Sequence, residues 1–409
     1  MPELLQKIPN APVTWVGAVD WNVRNFHGYK TSLGSSYNAY IVEGSEKVAV
    51  IDSVKAPFSS ELMDKVKQVV DPAKVDYIVC NHAEPDHSGS IKDLVKLCPN
   101  AKVVTNNLCK KMLGMMNDTA EWQWQVVRDQ DELSLGDRTL KFITSPMVHW
   151  PESMYSYLVE DEILFSMDSF GQHFASSKRF DTDYEWPLLL RQMKEYYANI
   201  LMLFGKTIQR AVKKVAGLPI KVVAPAHGLI LTDRIPDVLA KYDDWTHLRP
   251  EKKVVILYDT MYDSTERMAR EIYRGAADAG CEVKLLRLRE NDLTKVADEI
   301  LDAAGWAIGS ATLNENMMPT VGAAMTYLKG LLDPADKPVM SFGSHGWNGK
   351  GVDELNKMLE AMKANVVTET IKSKFRPTPE DVEKCYQAGL ELGRKALEHY
   401  ESKHTEAAE

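Results

Sequence analysis

Residues 82–87 read His-Ala-Glu-Pro-Asp-His and place four metal-ligating side chains within six positions. The preceding run, 75–80, is apolar and β-branched, which predicts a buried parallel strand. The following run, 91–97, has helical spacing, with Ser88 or Ser90 in position to cap it. Such strand-to-helix loops, at the carboxyl end of a strand, are where α/β proteins build their sites. The sequence therefore predicts a metal site formed in this loop by His82, Glu84, Asp86 and His87.

Three further residues that can bind metal each follow the end of a predicted strand. His149 comes after the strand 140–144, Asp168 closes the strand that begins at 163, and His227 comes after 220–225. Taken alone, each is more often an ordinary hydrogen-bonded loop residue. Together with the first loop they make four histidines and three carboxylates, which is the count for two metal ions with one shared carboxylate.

The remaining elements predict two domains, 1–250 and 251–409. In the first, 39–42 and 47–52 predict a hairpin, and about 187–216 predicts a long helical region. From about residue 250, strands alternate strictly with helices. The strands are predicted at 254–258, 282–286, 306–309, 339–343 and 365–371, and the helices near 264–279, 296–304, 320–332, 352–364 and 379–400. This α/β pattern predicts a doubly wound parallel sheet of flavodoxin type, and the polar tail 401–409 is predicted to fray.

Three loops of the second domain carry small polar residues where strands end. Hydroxyls and amides at a helix N-terminus can hold a phosphate, and without a P-loop lysine a flavin mononucleotide (FMN) fits better than a nucleoside triphosphate. Trp347 offers a stacking face for a planar ring. The alternative is that these residues only form turns. The candidate cofactor-binding residues are Thr260, Met261, Tyr262, Ser264 and Thr265, then Ser310, Thr312, Asn314 and Asn316, then Ser344, His345, Gly346 and Trp347.

Composition excludes several classes of protein. A formal net charge of -9 and a pI near 5.7 argue against a nucleic-acid groove. Neither a membrane-spanning apolar run nor a signal peptide is evident, so the chain is predicted to be cytoplasmic and without membrane contact. The five cysteines are scattered, which predicts free structural thiols in a reducing compartment.

Across nearly its whole length the sequence resembles the flavodiiron proteins, also called A-type flavoproteins. The resemblance rests on His82-x-Glu84-x-Asp86-His87, His149, Asp168 and His227, followed by a flavodoxin-like domain. It implies that the first domain has the metallo-β-lactamase-like αββα fold. Zinc hydrolases of that superfamily have His where this chain has Glu84, and the exchange of imidazole for a harder carboxylate favours iron.

The resemblance further implies a non-haem di-iron centre and FMN, which together reduce dioxygen to water or nitric oxide to nitrous oxide. Asp168 would bridge the two irons. His82, Glu84 and His149 would bind one iron, and Asp86, His87 and His227 the other. In some family members the histidine at the position of His87 does not bind metal. His27 and Tyr197 correspond to residues of the substrate pocket, where either could donate a hydrogen bond or a proton, or be structural.

Partners also follow from the resemblance. The family assembles as a head-to-tail homodimer, or a dimer of dimers, which brings the FMN of one subunit to the irons of the other. No rubredoxin or flavin reductase domain follows the flavodoxin domain, so a separate electron donor is expected, either a rubredoxin or a reduced deazaflavin. The flavin loop departs from ordinary flavodoxins, which have Thr-Gly-Asn-Thr where this chain has 262–265, Tyr-Asp-Ser-Thr. Asp263 would repel the phosphate unless its side chain turns outward.

Two other classes of function remain open at this point. A binuclear zinc hydrolase would use the same fold to activate water, although Glu84 and the second domain argue against it. A flavodoxin-based electron carrier would require an inert first domain, although all seven ligand positions are filled.

Overall fold

The computed structural model describes residues 5–332 and 337–406. Contacts divide the chain into two compact units. The first runs to Tyr197 and resumes over Phe204–Asp243, and the second comprises Ala198–Leu203 and the residues from Asp244 onward. The predicted boundary near residue 250 stays a prediction. Among the described residues, no helix is long and apolar enough to cross a membrane.

The first unit is built from short strands and helices. Its strands are β1 (Gln6–Lys7), β2 (Val13–Trp15), β3 (Ala18–Asp20), β4 (Asn25–Phe26), β5 (Tyr29–Lys30), β6 (Ser35–Tyr37), β7 (Tyr40–Glu43), β8 (Val48–Ile51), β9 (Val75–Val79), β10 (Lys102–Thr105), β11 (Trp124–Val126), β12 (Glu132–Ser134), β13 (Thr139–Thr144), β14 (Met154–Leu158), β15 (Ile163–Met167) and β16 (Val222–Pro225). Its helices are α1 (Ser59–Val69), α2 (Pro85–Ser88), α3 (Ile91–Leu97), α4 (Asn107–Met116), α5 (Trp186–Tyr196) and α6 (Gly205–Val215), and α7 (Ile235–Thr246) leads toward the second unit.

Two sheets form the body of this unit. One has the order β1-β2-β7-β8-β9-β10-β11, and the other the order β12-β13-β14-β15-β16. A core that includes Val79 and Val104 from the first sheet and Phe142 and Phe165 from the second lies between them. On the opposite face of the first sheet, residues such as Ile78 pack against α1, α3 and α4. Strands β14 and β15 are buried along their whole length, so both faces of the second sheet are covered, as the predicted αββα fold requires.

The second unit is the predicted doubly wound sheet. Its strands are β17 (Glu251–Asp259), β18 (Glu282–Arg287), β19 (Ala303–Leu313), β20 (Asn316–Met317), β21 (Pro338–His345), β22 (Asn365–Val366) and β23 (Ile371–Lys374), and its helices are α8 (Ser264–Asp278), α9 (Leu293–Leu301), α10 (Pro319–Leu331), α11 (Lys350–Ala361) and α12 (Pro379–Thr405). The parallel order β18-β17-β19-β21-β22 is that of flavodoxins. Strand β23 also pairs in parallel with β21.

Four local predictions need correction. The helical region 187–216 is interrupted by a π-helical turn, Tyr197–Leu201, and a 3-10 turn, Met202–Phe204. The strand predicted at 365–371 is two short strands, β22 and β23. Ser90 occupies the cap position of α3, but its side chain makes no capping hydrogen bond. The tail does not fray at Glu401, because α12 continues to Thr405, while residues 407–409 of that prediction lie outside the described part of the chain.

Candidate metal centre and cofactor pocket

The loop after β9 presents its four candidate ligands from two kinds of backbone. His82 and Glu84 precede the one-turn helix α2, and Asp86 and His87 lie within it. The sequence predicted an irregular loop here, whereas Pro85 begins a helical turn, a position that proline favours. Consecutive residues of this turn can then point toward a common centre.

The other three candidates come from strand ends, as predicted. Asp168 directly follows β15, His227 lies two residues beyond β16, and His149 lies in the turn between β13 and β14. The structure brings all seven residues together in two groups whose potential ligand atoms lie within 4.8 Å of one another. The groups are His82, Glu84, His149 and Asp168, and Asp86, His87 and His227.

Asp168 faces both groups with different oxygen atoms. Its Oδ1 lies 3.2 Å from Nε2 of His87 and 3.3 Å from Nε2 of His227. Its Oδ2 lies 3.2 Å from Nε2 of His82 and 3.6 Å from Nε2 of His149. One carboxylate therefore has an oxygen available to each group, which is the arrangement that a bridging ligand needs.

The other two carboxylates each belong to one group. Oε2 of Glu84 lies 3.2 Å from Nε2 of His82 and 3.0 Å from Nε2 of His149. Oδ2 of Asp86 lies 3.2 Å from Nε2 of His227. In each contact the histidine turns the same ring nitrogen, Nε2, toward a carboxylate, so the donor atoms converge.

The donor atoms at the centre of the cluster suit a cation. Asp86, His87 and Asp168 are buried, and Oδ1 of Asp86, Nε2 of His87 and Oδ2 of Asp168 make no hydrogen bond of good geometry within the described residues, although each lies 3.2–3.5 Å from another nitrogen or oxygen of the cluster. Burial alone would raise the pKa of Asp168, yet His87 and His227 hold it well below its usual range. Burial would lower the pKa of His227, but Asp168 and Asp86 raise it to about 10. Buried carboxylates of this kind are normally paired with positive charge or coordinate a metal.

Two hydrogen bonds orient the histidine rings from behind. Nδ1 of His82 donates to Oε1 of Glu152 at 2.8 Å, and that oxygen also accepts from the backbone amide of Ala83 at 2.8 Å. Nδ1 of His227 donates to the carbonyl oxygen of Ser36 at 2.7 Å. Each bond occupies Nδ1 and leaves Nε2 free to bind metal. Metal-binding histidines usually donate their other ring N–H to such a partner. The sequence analysis missed Glu152, whose only signal was its place three residues after His149.

His27 reaches the centre from a separate hairpin formed by β4 and β5. His27 and Gly28 form its tip, both with positive φ, 54° and 95°, which suits a tight hairpin turn. Nε2 of His27 lies 3.3 Å from Oε1 of Glu84, and its side chain is 58% exposed. His27 is therefore placed at an open edge of the cluster, and its pocket role stays a prediction.

The tyrosine that contacts the cluster is Tyr196, the neighbour of the other predicted pocket residue, Tyr197, whose pocket role stays a prediction. The hydroxyl of Tyr196 donates to Oδ1 of Asp168 at 2.7 Å. Tyr197 is fully buried, and its ring packs edge-on against that of Tyr242 at 5.2 Å.

The seven ligands offer only imidazole nitrogen and carboxylate oxygen. This set, with three carboxylates and no thiolate, suits iron or another metal that accepts hard ligands, and it suits zinc less well than an all-histidine set does. The residues present therefore fit a di-iron centre.

The second unit contains a cavity of about 690 Å³ at the carboxyl ends of its strands, a size typical of small-molecule sites. Nine of the predicted cofactor residues line it, namely Met261, Tyr262, Ser264, Thr312, Asn314, Ser344, His345, Gly346 and Trp347. The lining residues that the sequence analysis missed are Ala311, Leu313, Glu315, Asn348, Phe375 and Arg376. Phe375 and Arg376 come from a fourth loop, after β23.

The four other predicted residues do not line the cavity. Thr265 is buried and its hydroxyl hydrogen-bonds that of Ser344 at 2.8 Å, while Thr260 is buried next to the lining residue Met261. The hydroxyl of Ser310 accepts from the amide of Met318, and Oδ1 of Asn316 accepts from the amide of Met317. The polar atoms of Ser310 and Asn316 therefore stabilise the chain around β20.

The start of α8 fits a phosphate. Asp263, at its N-cap, has a left-handed backbone with φ 62° and makes no side-chain capping hydrogen bond. The first amides of α8 thus lack a side-chain cap and can bind an anion, helped by the helix dipole. Asp263 is exposed, so its carboxylate has room to turn away from a bound phosphate. The residues present therefore fit FMN.

Two family models match the chain. Residues 36–228 match the family model described as ODP family beta lactamase, and residues 256–389 match the flavodoxin model. The chain is 39% identical over 388 residues to a nitric oxide reductase of Moorella thermoacetica, with 94% of this chain and 96% of that protein covered. It is 38% identical over 384 residues to the rubredoxin-oxygen oxidoreductase of Megalodesulfovibrio gigas, with 93% and 95% covered.

A solved structure agrees over both units. The crystal structure of the flavodiiron protein from Giardia intestinalis superimposes on the chain with a TM-score of 0.94 and 40% identity, and 98% of each chain is covered. The similarity therefore extends through the metal cluster and the cofactor pocket alike.

Proposed function

The chain belongs to the flavodiiron proteins, and from this premise we propose that it is an oxidoreductase that reduces dioxygen to water, nitric oxide to nitrous oxide, or both. The observation that carries the proposal is Asp168, whose two oxygens face two separate groups of nitrogen and oxygen ligands. Relatives at 38–39% identity are named for these two gases, one for each.

In this proposal each cofactor has its own unit. His82, Glu84 and His149 would hold one iron, Asp86, His87 and His227 the other, with Asp168 between them. The cavity lined by Ser264, Ser344 and Trp347 would hold FMN, with its phosphate at the start of α8. When bound, the iron pair and the FMN supply the electrons that reduce the gas.

The chain's own residues would position the reaction and move protons. Reduction of either gas consumes protons as well as electrons. Nε2 of His27, 3.3 Å from Glu84 on a side chain that is 58% exposed, can take up a proton from solvent beside the cluster. The hydroxyl of Tyr196 donates a hydrogen bond to Oδ1 of Asp168 and so holds its proton beside that oxygen. Glu152 keeps the Nδ1 proton of His82 in place, which directs Nε2 of that ring toward the metal.

Partners complete the proposal. The electron donor would be a separate rubredoxin, since one relative is named for that donor, with a reduced deazaflavin as the alternative. The active form would be a head-to-tail homodimer or a dimer of such dimers, working in the cytoplasm. Tyr262 and Trp347, 90% and 86% exposed at the cavity, are large aromatic side chains of the kind that a partner surface covers.

The first test is the content of iron, zinc and flavin in the purified chain. About two irons and one FMN per chain are expected. Anaerobic assays would then follow the consumption of dioxygen and of nitric oxide with reduced rubredoxin or reduced deazaflavin, and sedimentation would give the oligomeric state. Zinc in place of iron, with hydrolysis of esters or thioesters, would instead support the binuclear zinc hydrolase, against which Glu84 and the second unit argue.

A further inference from the structure

The loop after β23 contributes to the cofactor cavity although its sequence lacks the small polar residues of the other three loops. Phe375 and Arg376 both line the cavity. The amide of Phe375 donates to the carbonyl oxygen of His345 at 2.7 Å, which ties this loop to the third predicted loop. Phe375 has a positive φ of 60°, so the chain turns sharply just before Arg376.

Arg376 is the single lysine or arginine among the residues that line the cavity. The one carboxylate in the lining, Glu315, is already neutralised by Lys350 at 2.9 Å. Arg376 itself has no ion-pair partner in the part of the chain that the structure describes, whereas nearby Lys372 pairs with Asp353. A guanidinium is thus available to a ligand in this cavity.

The position of the loop places this charge on the side of the phosphate. Arg376 lies three residues before α12 begins, and α12 packs against α8, the helix whose N-terminus fits the phosphate. Gly389 of α12 faces Ile272 of α8 and Gly393 faces Ala276, so the two helices run in the same direction and begin at the same end of the unit. Ser344, which hydrogen-bonds Thr265 of α8, is also the strand neighbour of Ser373 in β23.

The loop that would hold the phosphate, 260–265, carries no positively charged side chain of its own. A phosphate monoester carries a charge of about -1.5 to -2 at pH 7. The loop before α8 brings Asp263, and its described residues 260–265 include no lysine or arginine. Amides and hydroxyls can hydrogen-bond the phosphate oxygens, but they do not balance this charge. Arginine matches phosphate with a planar fork of donors.

We infer that Arg376 binds the phosphate of FMN and so makes the chain select FMN over riboflavin, which has the same ring without the phosphate. The inference rests on the proposed function, since it requires that the cavity hold FMN. It assigns a binding role to the fourth loop.

The test compares the two flavins on the full chain after its flavin has been removed. Flavin fluorescence gives the Kd of FMN and of riboflavin for the wild type, R376Q and R376K, and for K374Q as the matched control. Lys374 carries the same charge two residues away but does not line the cavity. Circular dichroism and thermal unfolding would check that each variant is folded.

R376Q is expected to weaken FMN binding by about 10- to 100-fold, as for loss of a hydrogen bond to a charged group, with riboflavin changed less than about twofold. R376K should recover part of the loss, and K374Q should keep the wild-type ratio of the two affinities. If R376Q weakens the binding of both flavins equally, or of neither, the inference is overturned while the proposed function stands. A wild-type chain that binds neither flavin would overturn both.

Discussion

Glu152 accepts a 2.8 Å hydrogen bond from Nδ1 of His82, and both side chains are fully buried. Burial would raise the pKa of Glu152, but its bonds with His82 lower it, so the carboxylate stays charged behind the ring. The same oxygen accepts from the amide of Ala83. Glu152 therefore fixes the orientation of His82 and of the loop that carries the other ligands.

Replacing Glu152 by Gln should weaken metal binding by about 10-fold or more, because partners behind ligating histidines contribute affinity of this order. The measurement is iron per chain after dialysis against graded concentrations of a chelator. Glu132→Gln is the control, since Glu132 lies exposed on β12. Equal retention of iron by E152Q and the wild type would refute the role.

Replacing Glu84 by His should shift metal preference toward zinc. The change converts the carboxylate at the centre of the first group into an imidazole, a ligand that suits zinc as well as iron. The chain would be loaded anaerobically with equal amounts of iron and zinc, and the bound ratio measured. We expect the ratio of zinc to iron to rise about tenfold in E84H. E84D, which keeps the carboxylate, should stay near the wild type, and an unchanged ratio in E84H would show that this position does not select the metal.

Tyr196 and Tyr197 form a matched pair for the pocket. Y196F removes the hydroxyl that donates to Oδ1 of Asp168, and loss of a hydrogen bond to a charged group should lower turnover by about tenfold or more. Y197F alters a buried hydroxyl beside Tyr242, so its main effect should be on thermal stability. Turnover with saturating gas, at equal iron content, is the measurement. A larger loss of turnover in Y197F would restore the role that the sequence predicted for it.

The sequence predicted that the seven candidate ligands lie together, as they do, because its signals are local. A dense ligand motif after one strand, and single ligands after three others, could be read directly, since parallel strands end at a common edge. Glu152 could not be found in this way. A buried glutamate that supports a histidine from behind has the same sequence appearance as any loop glutamate, and only the fold brings it to His82.

Tyr196, Phe375 and Arg376, which the sequence analysis did not name, were hard to find for a similar reason. The choice between Tyr196 and Tyr197 depends on helix phase, and the π-helical turn that begins at Tyr197 makes that phase hard to read from sequence. Small polar residues at strand ends indicated the other three loops. The fourth loop lines the cavity with two large residues, Phe375 and Arg376, which that pattern does not include. The segment 365–371 was predicted as one strand. Because β23 is a separate strand that pairs with β21, the loop after β23 lies beside the loop after β21.

The carboxylate of Glu299 lies between two lysines of the second unit. Lys253 is buried, with Nζ 3.0 Å from Oε2 of Glu299, and Lys295 lies 2.7 Å from the other oxygen. Burial would raise the pKa of Glu299, but Lys295 and Lys253 lower it to about 2 from 4.5. A carboxyl whose pKa is depressed on folding stabilises the protein above its unfolded pKa, and that contribution is lost as pH falls through the folded value.

Glu299→Gln should therefore reduce the free energy of unfolding at pH 7 by about 1–2 kcal/mol, the shift being discounted for partial exposure. The difference from the wild type should shrink below pH 4.5 and disappear only below about pH 2, because the folded carboxyl is half protonated at its pKa of about 2. Urea unfolding at several pH values measures it, and Glu282→Gln is the control because the Glu282–Lys284 pair is exposed. A difference that stays constant from pH 7 to pH 2 would show that Glu299 stabilises the unit by packing and not by its charge.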